Sequence, residues 1–522
     1  MYAERKVIAF FVAICALLTA AHGQVPPLFH FTEKPGPYPV GLKVVEQYDY
    51  SRIYRSKIND LGKPYQGERA RPLQTLIWYP AKKSSGKAMT AGDYGNLMAT
   101  ETSFDKPQLA HDAQDWIKGM APTLAQSLWA VRDAQPESGR FPLVIYAPSF
   151  SAMSWENADL CEYLASHGYV VVASPDMGAT ARNMTGDLAG IDAQARDISF
   201  LIGYAHTLSN TDMSKIAVAG FSWGGISNLF VAARDNRIDA LVAFDGSLRY
   251  FPGLVKQSGD VHPEEMTTPL LFFAQGGMTM EEQARYLNDK SKNDGPSVLN
   301  AWTHGDLITV RMLGLVHAEF SSMYQRNEDT WKEFPDAQNA DYAREDGIPG
   351  YAWVARYTLH FLDAYLKHDA EAMAYLKKTP AENGVPAHLM GVKYRAAKGL
   401  PASMDAFRAE LGRQGFDHAS AIYAAMQKDS PDFKLDKTAL TEWGEDLINV
   451  NALPEAVSLL KFEVQIYPDT SSGHAALAEA YMKSGQKQLA IENYKKALEI
   501  NPDNEDAKQN LKELESSPPS KN

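Results

Sequence analysis

Ser222 stands in "KIAVAGFSWGGISNLF", where a strand-like IAVAG breaks at Gly220-Phe221-Ser222-Trp223-Gly224 and resumes as a helix-like ISNLFVAA. A serine between glycines at such a turn reads in two ways. The glycines relieve crowding at an ordinary turn, or the turn is an elbow that lifts a nucleophilic hydroxyl to the top of a sheet. The five-residue pattern recurs by chance, so its surroundings decide. A serine hydroxyl is a weak nucleophile until an imidazole takes its proton during the attack. That imidazole needs a buried carboxylate to hold its tautomer and to stabilise the charge it gains. Polar residues ending later apolar runs supply both: Asp245 closes "DALVAFDG", and His317 follows "LITVRMLG" in "GLVHAEFSS". The tetrahedral oxyanion requires fixed donors. The Trp223 N–H is the expected one, and the loop after "LVIYAP" provides the second, at Phe150 or Ser151.

Other polar residues compete for these roles. Asp176 ends "VVVASPD" but precedes the serine, which is the wrong order, so it reads as a turn or substrate-rim residue. Glu281 and Glu282 read as the first turn of a helix after Thr279, where acidic residues are ordinary. His304 lies in a loop ahead of its strand and His206 on a helix, and both read as surface or packing residues. The Trp223 ring can equally be mere packing beside the elbow. No His/Cys/Asp cluster with metal-ligand spacing stands near the strand ends, so no metal or cofactor is expected.

The elements that must position these residues run from Arg71 to about Val385. "TLIWYP", "FPLVIYAP", "YVVVASPD", "KIAVAG", "DALVAFDG", "PLLFFAQGG" and "LITVRMLG" read as strands, mostly continuous apolar runs, as strands covered on both faces should be. Helical stretches intervene, which predicts an α/β fold with a mostly parallel sheet. Function in such sheets sits beyond the carboxyl ends of the strands. Residues 87–136 read as a partly helical insertion that either covers the site or pads the surface. Beyond 385 no strand is expected, and residues 386–435 read as a helical connector. "HAALAEAYMKSGQKQLAIENYKKALEINPDN" then fits the tetratricopeptide pattern at Leu477, Ala478, Tyr481, Ala490, Tyr494, Ala497 and Pro502. Stepping back 34 residues meets Pro468, Ala456 and Gly444, so residues 436–515 are expected to hold two repeats and a capping helix, with a disordered tail at 516–522. Such repeats either bind a protein partner or dock within the molecule.

The bulk numbers set limits. The 522 residues allow two or three domains, and 45% hydrophobic and 22% charged residues are globular proportions. A formal charge of −13 argues against nucleic acid or an anionic membrane as the main ligand. "MYAERK", the short apolar "VIAFFVAICALLTA" and small residues Ala21 and Gly23 describe a secretory signal peptide over 1–23, too short for a membrane span. The exported chain would be periplasmic or secreted, without a transmembrane segment. It would keep Cys161 alone, so no disulfide forms within it, and Cys161 reads as an apolar filler.

Taken together, "GFSWGG", "LVAFDGSLRYFP", "GLVHAEFSS", "LIWYPA" and "CEYLASHGYVVVASPDMG" resemble platelet-activating-factor acetylhydrolases and their dienelactone-hydrolase-like bacterial relatives over roughly residues 72–370. The resemblance implies an α/β-hydrolase fold and a metal-independent serine esterase, with Ser222, Asp245 and His317 as triad. It implies substrates that are small-molecule or lipid esters with short or oxidised acyl groups. That family usually carries His-Gly where this chain has Ser149-Phe150, and dienelactone hydrolases proper use a cysteine where Ser222 stands. Two rivals are a partner-binding repeat protein on an inactive hydrolase scaffold, and an acyl peptidase. The first has no reason to keep three triad members at strand ends, and the second lacks a visible gating domain.

Overall fold

Each of the seven apolar runs becomes a strand. A computed structural model of the chain describes residues 28–59, 61–105, 107–276, 290–327, 329 and 346–516. The expected signal peptide, Glu281, Glu282 and the tail from 517 lie outside the described residues. In chain order the strands are β1 (Val40–Ile53), β2 (Ala70–Pro80), β3 (Ala88–Thr90), β4 (Ser127–Arg132), β5 (Phe141–Ala147), β6 (Val170–Ala173), β7 (Thr211–Phe221), β8 (Ala240–Phe244), β9 (Leu270–Gln275), β10 (Leu307–Met312) and β11 (Met390–Arg395). They form one sheet in the order β11-β10-β9-β8-β7-β5-β6-β2-β1-β4-β3. The six strands from β6 to β10 in that order are mutually parallel. Antiparallel strands close both sides, β2 against β6 and β11 against β10.

The parallel strands are buried on both faces because alternate side chains enter two separate cores. Val144, Tyr146, Ala217 and Ala219 point to one face and meet helices α1 (Ala158–Ser166) and α4 (Gly347–Leu366) through Leu160, Leu164, Val354 and Phe361. Leu143, Ile145, Ile216 and Val218 point to the other and meet α2 (Leu188–Ala205) and α3 (Trp223–Arg234) through Ile198, Leu201, Ile226 and Leu229. A continuous apolar run is therefore a strand whose both faces are covered, and period-two alternation is absent for that reason.

Three features differ from the sequence reading. β1 precedes Arg71; beyond Leu42 it is mostly only partly buried and carries exposed charges such as Lys43 and Glu46 instead of forming an apolar run. Residues 87–136 contribute β3 and β4, which pair with each other, while β4 runs parallel to β1, so much of this insertion widens the sheet. Strand content also continues past 385. β11 pairs with β10 over six residue pairs, and its Lys393 and Arg395 are the polar marks of an edge strand.

The chain divides into two compact units, 1–397 and 398–522. In the second, residues 398–435 are more than a connector. Helices α5 (Met404–Gln414) and α6 (Ala419–Asp429) bury Phe407, Leu411, Ile422 and Met426 against Leu440, Leu459 and Phe462 of α7 (Lys437–Asn449) and α8 (Leu453–Ile466). Then come α9 (Ser471–Lys483), α10 (Lys487–Ile500) and α11 (Glu505–Ser516). The pairs α7–α8 and α9–α10 fall where the two repeats are expected. Ala456, Ala478, Ala490 and Ala497 are fully buried, because helices approaching this closely leave room only for small side chains.

Candidate active site

β7 ends at Phe221, and the next residue takes a conformation that few side chains adopt. Ser222 has φ 52° and ψ −111°. Such strain persists only where the surroundings enforce it. Here the Ser222 N–H donates to the Phe244 carbonyl at 3.0 Å, and its own carbonyl accepts from Ser247 N (2.7 Å) and Gly225 N (3.0 Å). The glycines of the motif make the turn sterically possible: a Cβ on Gly224 would strike the Ala147 carbonyl, and one on Gly220 would strike the Gly224 backbone. Of residues 221–230, Ser222 alone is not fully buried.

Three strand ends bring the chemistry together. His317 Nε2 lies 3.0 Å from Ser222 Oγ, and His317 Nδ1 lies 2.6 Å from Asp245 Oδ2. Asp245 is completely buried, while the imidazole stays 18% exposed. The other carboxylate oxygen of Asp245 accepts from Tyr250 Oη at 2.5 Å and from Gln275 N at 3.3 Å. Asp245 N donates to the Phe273 carbonyl, fixing the residue at φ 42°. Held by these donors, the Asp245 carboxylate fixes the orientation of the imidazole, with Nε2 turned to Ser222 Oγ. The Phe221 ring lies 5.0 Å from the imidazole.

The described residues singled out from the sequence can now be placed, with His304 half-buried in the bend ahead of β10. Ser222, His317 and Asp245 form one hydrogen-bonded chain. Asp176 is buried away from that chain, with Oδ2 accepting from Ser151 N at 2.8 Å; burial raises its pKa well above the carboxylate range. His206 is an exposed helix cap. Cys161 is free and buried, as its apolar setting predicted.

Of the two expected donors in the loop after β5, Phe150 and Ser151, only one has an uncommitted N–H. Ser149 N donates to Glu156 Oε2 (2.9 Å), Ser151 N to Asp176 Oδ2, and Ala152 N to the Ser149 carbonyl (2.9 Å). Ser151, one of the two expected donors, is thus unavailable: its N–H is bound elsewhere, and it sits at φ 58°. Among the described residues the Phe150 N–H has no acceptor, and neither has the Trp223 N–H, which opens α3 where no intrahelical partner exists. The Trp223 ring packs edge-on between Phe150 (5.4 Å) and Phe251 (5.7 Å), which gives the indole a packing role of its own.

Several supporting residues carried no signal in the sequence. Arg182 donates to the carbonyls of Ser151 (3.1 Å), Asp176 (2.8 Å) and Ala152 (3.3 Å) and pairs with buried Glu101 at 2.8 Å, so a residue of the insertion helps fasten the loop beside the serine. Tyr250 and Glu156 were equally invisible, because each acts through contacts that only the folded sheet creates. Among the described residues no group of three His, Cys, Asp or Glu side chains could hold a metal ion, and no helix is long and apolar enough to cross a membrane.

A mostly parallel sheet with a strained serine at the end of β7, followed by an acid and a histidine at later strand ends, defines an α/β-hydrolase-like protein. Residues 130–278 match the Dienelactone hydrolase family, and residues 471–504 match the Tetratricopeptide repeat; the chain combines the two. A putative carboxymethylenebutenolidase of Methylorubrum extorquens is 26% identical over 168 residues, covering 30% of this chain and 57% of that protein. The chain thus spans little more than half the length of that relative. Among solved structures, a ferulic acid esterase from Streptomyces cinnamoneus aligns with 21% identity and a TM-score of 0.45, covering 64% of this chain and 91% of that one.

Proposed function

We propose that the protein is an exported serine carboxylester hydrolase that cleaves short-acyl esters by an acyl-enzyme mechanism. The observation that carries this reading is the unbroken hydrogen-bonded chain from buried Asp245 through His317 to the strained Ser222. The hydrolase-family match over 130–278 supports it, and the pattern of residues 1–23 supports export.

In the first half-reaction Ser222 Oγ attacks the ester carbonyl carbon while His317 Nε2 takes the hydroxyl proton. Negative charge then develops on the former carbonyl oxygen, where the Trp223 and Phe150 N–H groups receive it; such a donor is worth about 10²–10³ in rate. The intermediate collapses, the ester C–O bond breaks, and His317 returns its proton to the leaving alkoxide. In the second half-reaction a water gives its proton to His317 as it attacks the acyl carbon; the C–O bond to Ser222 Oγ then breaks, His317 returns the proton to Oγ, and the carboxylic acid leaves. Asp245 keeps its hydrogen bond to Nδ1 throughout and stabilises the imidazolium. A panel of p-nitrophenyl esters from acetyl to decanoyl tests the reading. Turnover should be fastest with the short chains and abolished in Ser222→Ala. Absence of hydrolysis across the panel, or a preference for decanoate, would contradict it.

A further inference from the structure

Glu156 is fully buried beside the site and joins two loops that carry different parts of it. Its side chain faces the loop after β5: Oε2 accepts from Ser149 N (2.9 Å) and Tyr146 Oη (3.0 Å), and Oε1 accepts from Ser149 Oγ. Its backbone carbonyl faces the segment after His317, accepting from Met323 N (3.2 Å) and Ser321 Oγ (2.8 Å). Asn157 continues the fastening, donating to the Phe320 carbonyl (3.0 Å) and accepting from Ser322 N (2.9 Å). Ser149 immediately precedes Phe150, so whatever fixes Ser149 fixes the direction of the Phe150 N–H.

We propose that Glu156 is a positioning residue of the esterase site, whose carboxylate holds Ser149, and through it the Phe150 N–H, in register with the turn that carries His317. This rests on the serine-esterase reading above. Three donors converging on two oxygens call for an acceptor-only group, which an ionised carboxylate is and a protonated one is not. The titratable groups facing it are Tyr146 from β5, His317 from its turn, and Cys161 on the helix that follows. Among the described residues no lysine or arginine is bonded to it. Burial pushes its pKa up to about 7, against the opposing pull of the Ser149 and Tyr146 hydrogen bonds and the charge of His317. Near neutrality, then, protonation forces the Ser149 hydroxyl to turn from donor to acceptor. It also removes a negative charge that steadies the imidazolium formed in the reaction.

The test is the pH dependence of kcat for p-nitrophenyl acetate in the full-length protein, in Glu156→Gln, in Ser149→Ala and in the double variant. The amide of Glu156→Gln imitates the protonated acid at the same volume. It should lower kcat about ten-fold with KM changed less than three-fold, and should reduce two ionisations on the acid limb to one. Ser149→Ala removes one donor from the carboxylate, so its acid limb should move to higher pH, and should not move when the substitution is added to Glu156→Gln. An unchanged kcat and pH profile in Glu156→Gln would overturn the proposal, as would an equal Ser149→Ala shift in both backgrounds. If Glu156→Gln fails to fold, Tyr146→Phe takes its place: it and Ser149→Ala must each move the limb upward, and a fixed limb overturns the proposal. A wild-type protein without esterase activity would instead overturn the underlying reading.

Discussion

Asp245 illustrates how much of the site is set by single side chains. It is fully buried, and its two oxygens are engaged by Tyr250 Oη, Gln275 N and His317 Nδ1. Asp245→Asn should therefore fold and yet lose roughly 10⁴ in kcat, because the amide favours the wrong imidazole tautomer. Tyr250→Phe removes one hydrogen bond to a charged group, worth about 1.5–3 kcal/mol, and should cost about 10–100-fold. Steady-state kinetics on p-nitrophenyl acetate read both, and a Tyr250→Phe loss equal to that of Asp245→Asn would mean the tyrosine does more than support the acid. The hydrogen-bonded chain of Ser222, His317 and Asp245 was legible in the sequence because each of the three follows the end of an apolar run. Tyr250 was not, although it lies only five residues from Asp245: nothing in "DGSLRY" says that the chain turns its hydroxyl back onto the carboxylate.

At the scale of elements, the strands most visible in the sequence are those buried on both faces. β5, β6 and β8 contain no exposed residue, so their apolar runs announce them. β1, β4 and β11 escaped for the opposite reason, since they mix charged with apolar residues, and β3 because three residues make too short a run. β11 bears on the boundary of the hydrolase unit. A chain cut after Val385 loses β11 and bares the β10 edge, whose unpaired N–H and carbonyl groups invite pairing with another molecule. A chain cut after Ala397 keeps it. The longer truncated protein is expected to hydrolyse p-nitrophenyl acetate within a few-fold of the full protein and to run as a monodisperse species in size-exclusion chromatography. The shorter one should aggregate. Equal solubility of the two would show that β11 contributes little, and a folded but inactive 397-residue chain would count the repeats as part of the site.

For the molecule as a whole, buried acids make stability depend on pH. Glu162 accepts from Tyr94 Oη (2.6 Å) and Trp129 N (2.5 Å), and burial raises its pKa to about 8 from 4.5. The unfolded chain releases this proton above pH 4.5, whereas the folded chain keeps it until about pH 8. Its contribution is thus complete below 4.5 and lost as pH rises through 8, on the order of a few kcal/mol. Urea unfolding should accordingly show lower stability at pH 8.5 than at pH 5.5, and Glu162→Gln should flatten that difference; an unaltered slope would place the proton elsewhere. The central claim, that one serine among all those in the chain is an activated nucleophile, is tested most directly by labelling the intact protein with a fluorophosphonate and locating the adduct by mass spectrometry. The account expects a single adduct on Ser222, lost when His317 is replaced by alanine. Labelling at another serine, or labelling of Ser222 that survives the loss of His317, would contradict it.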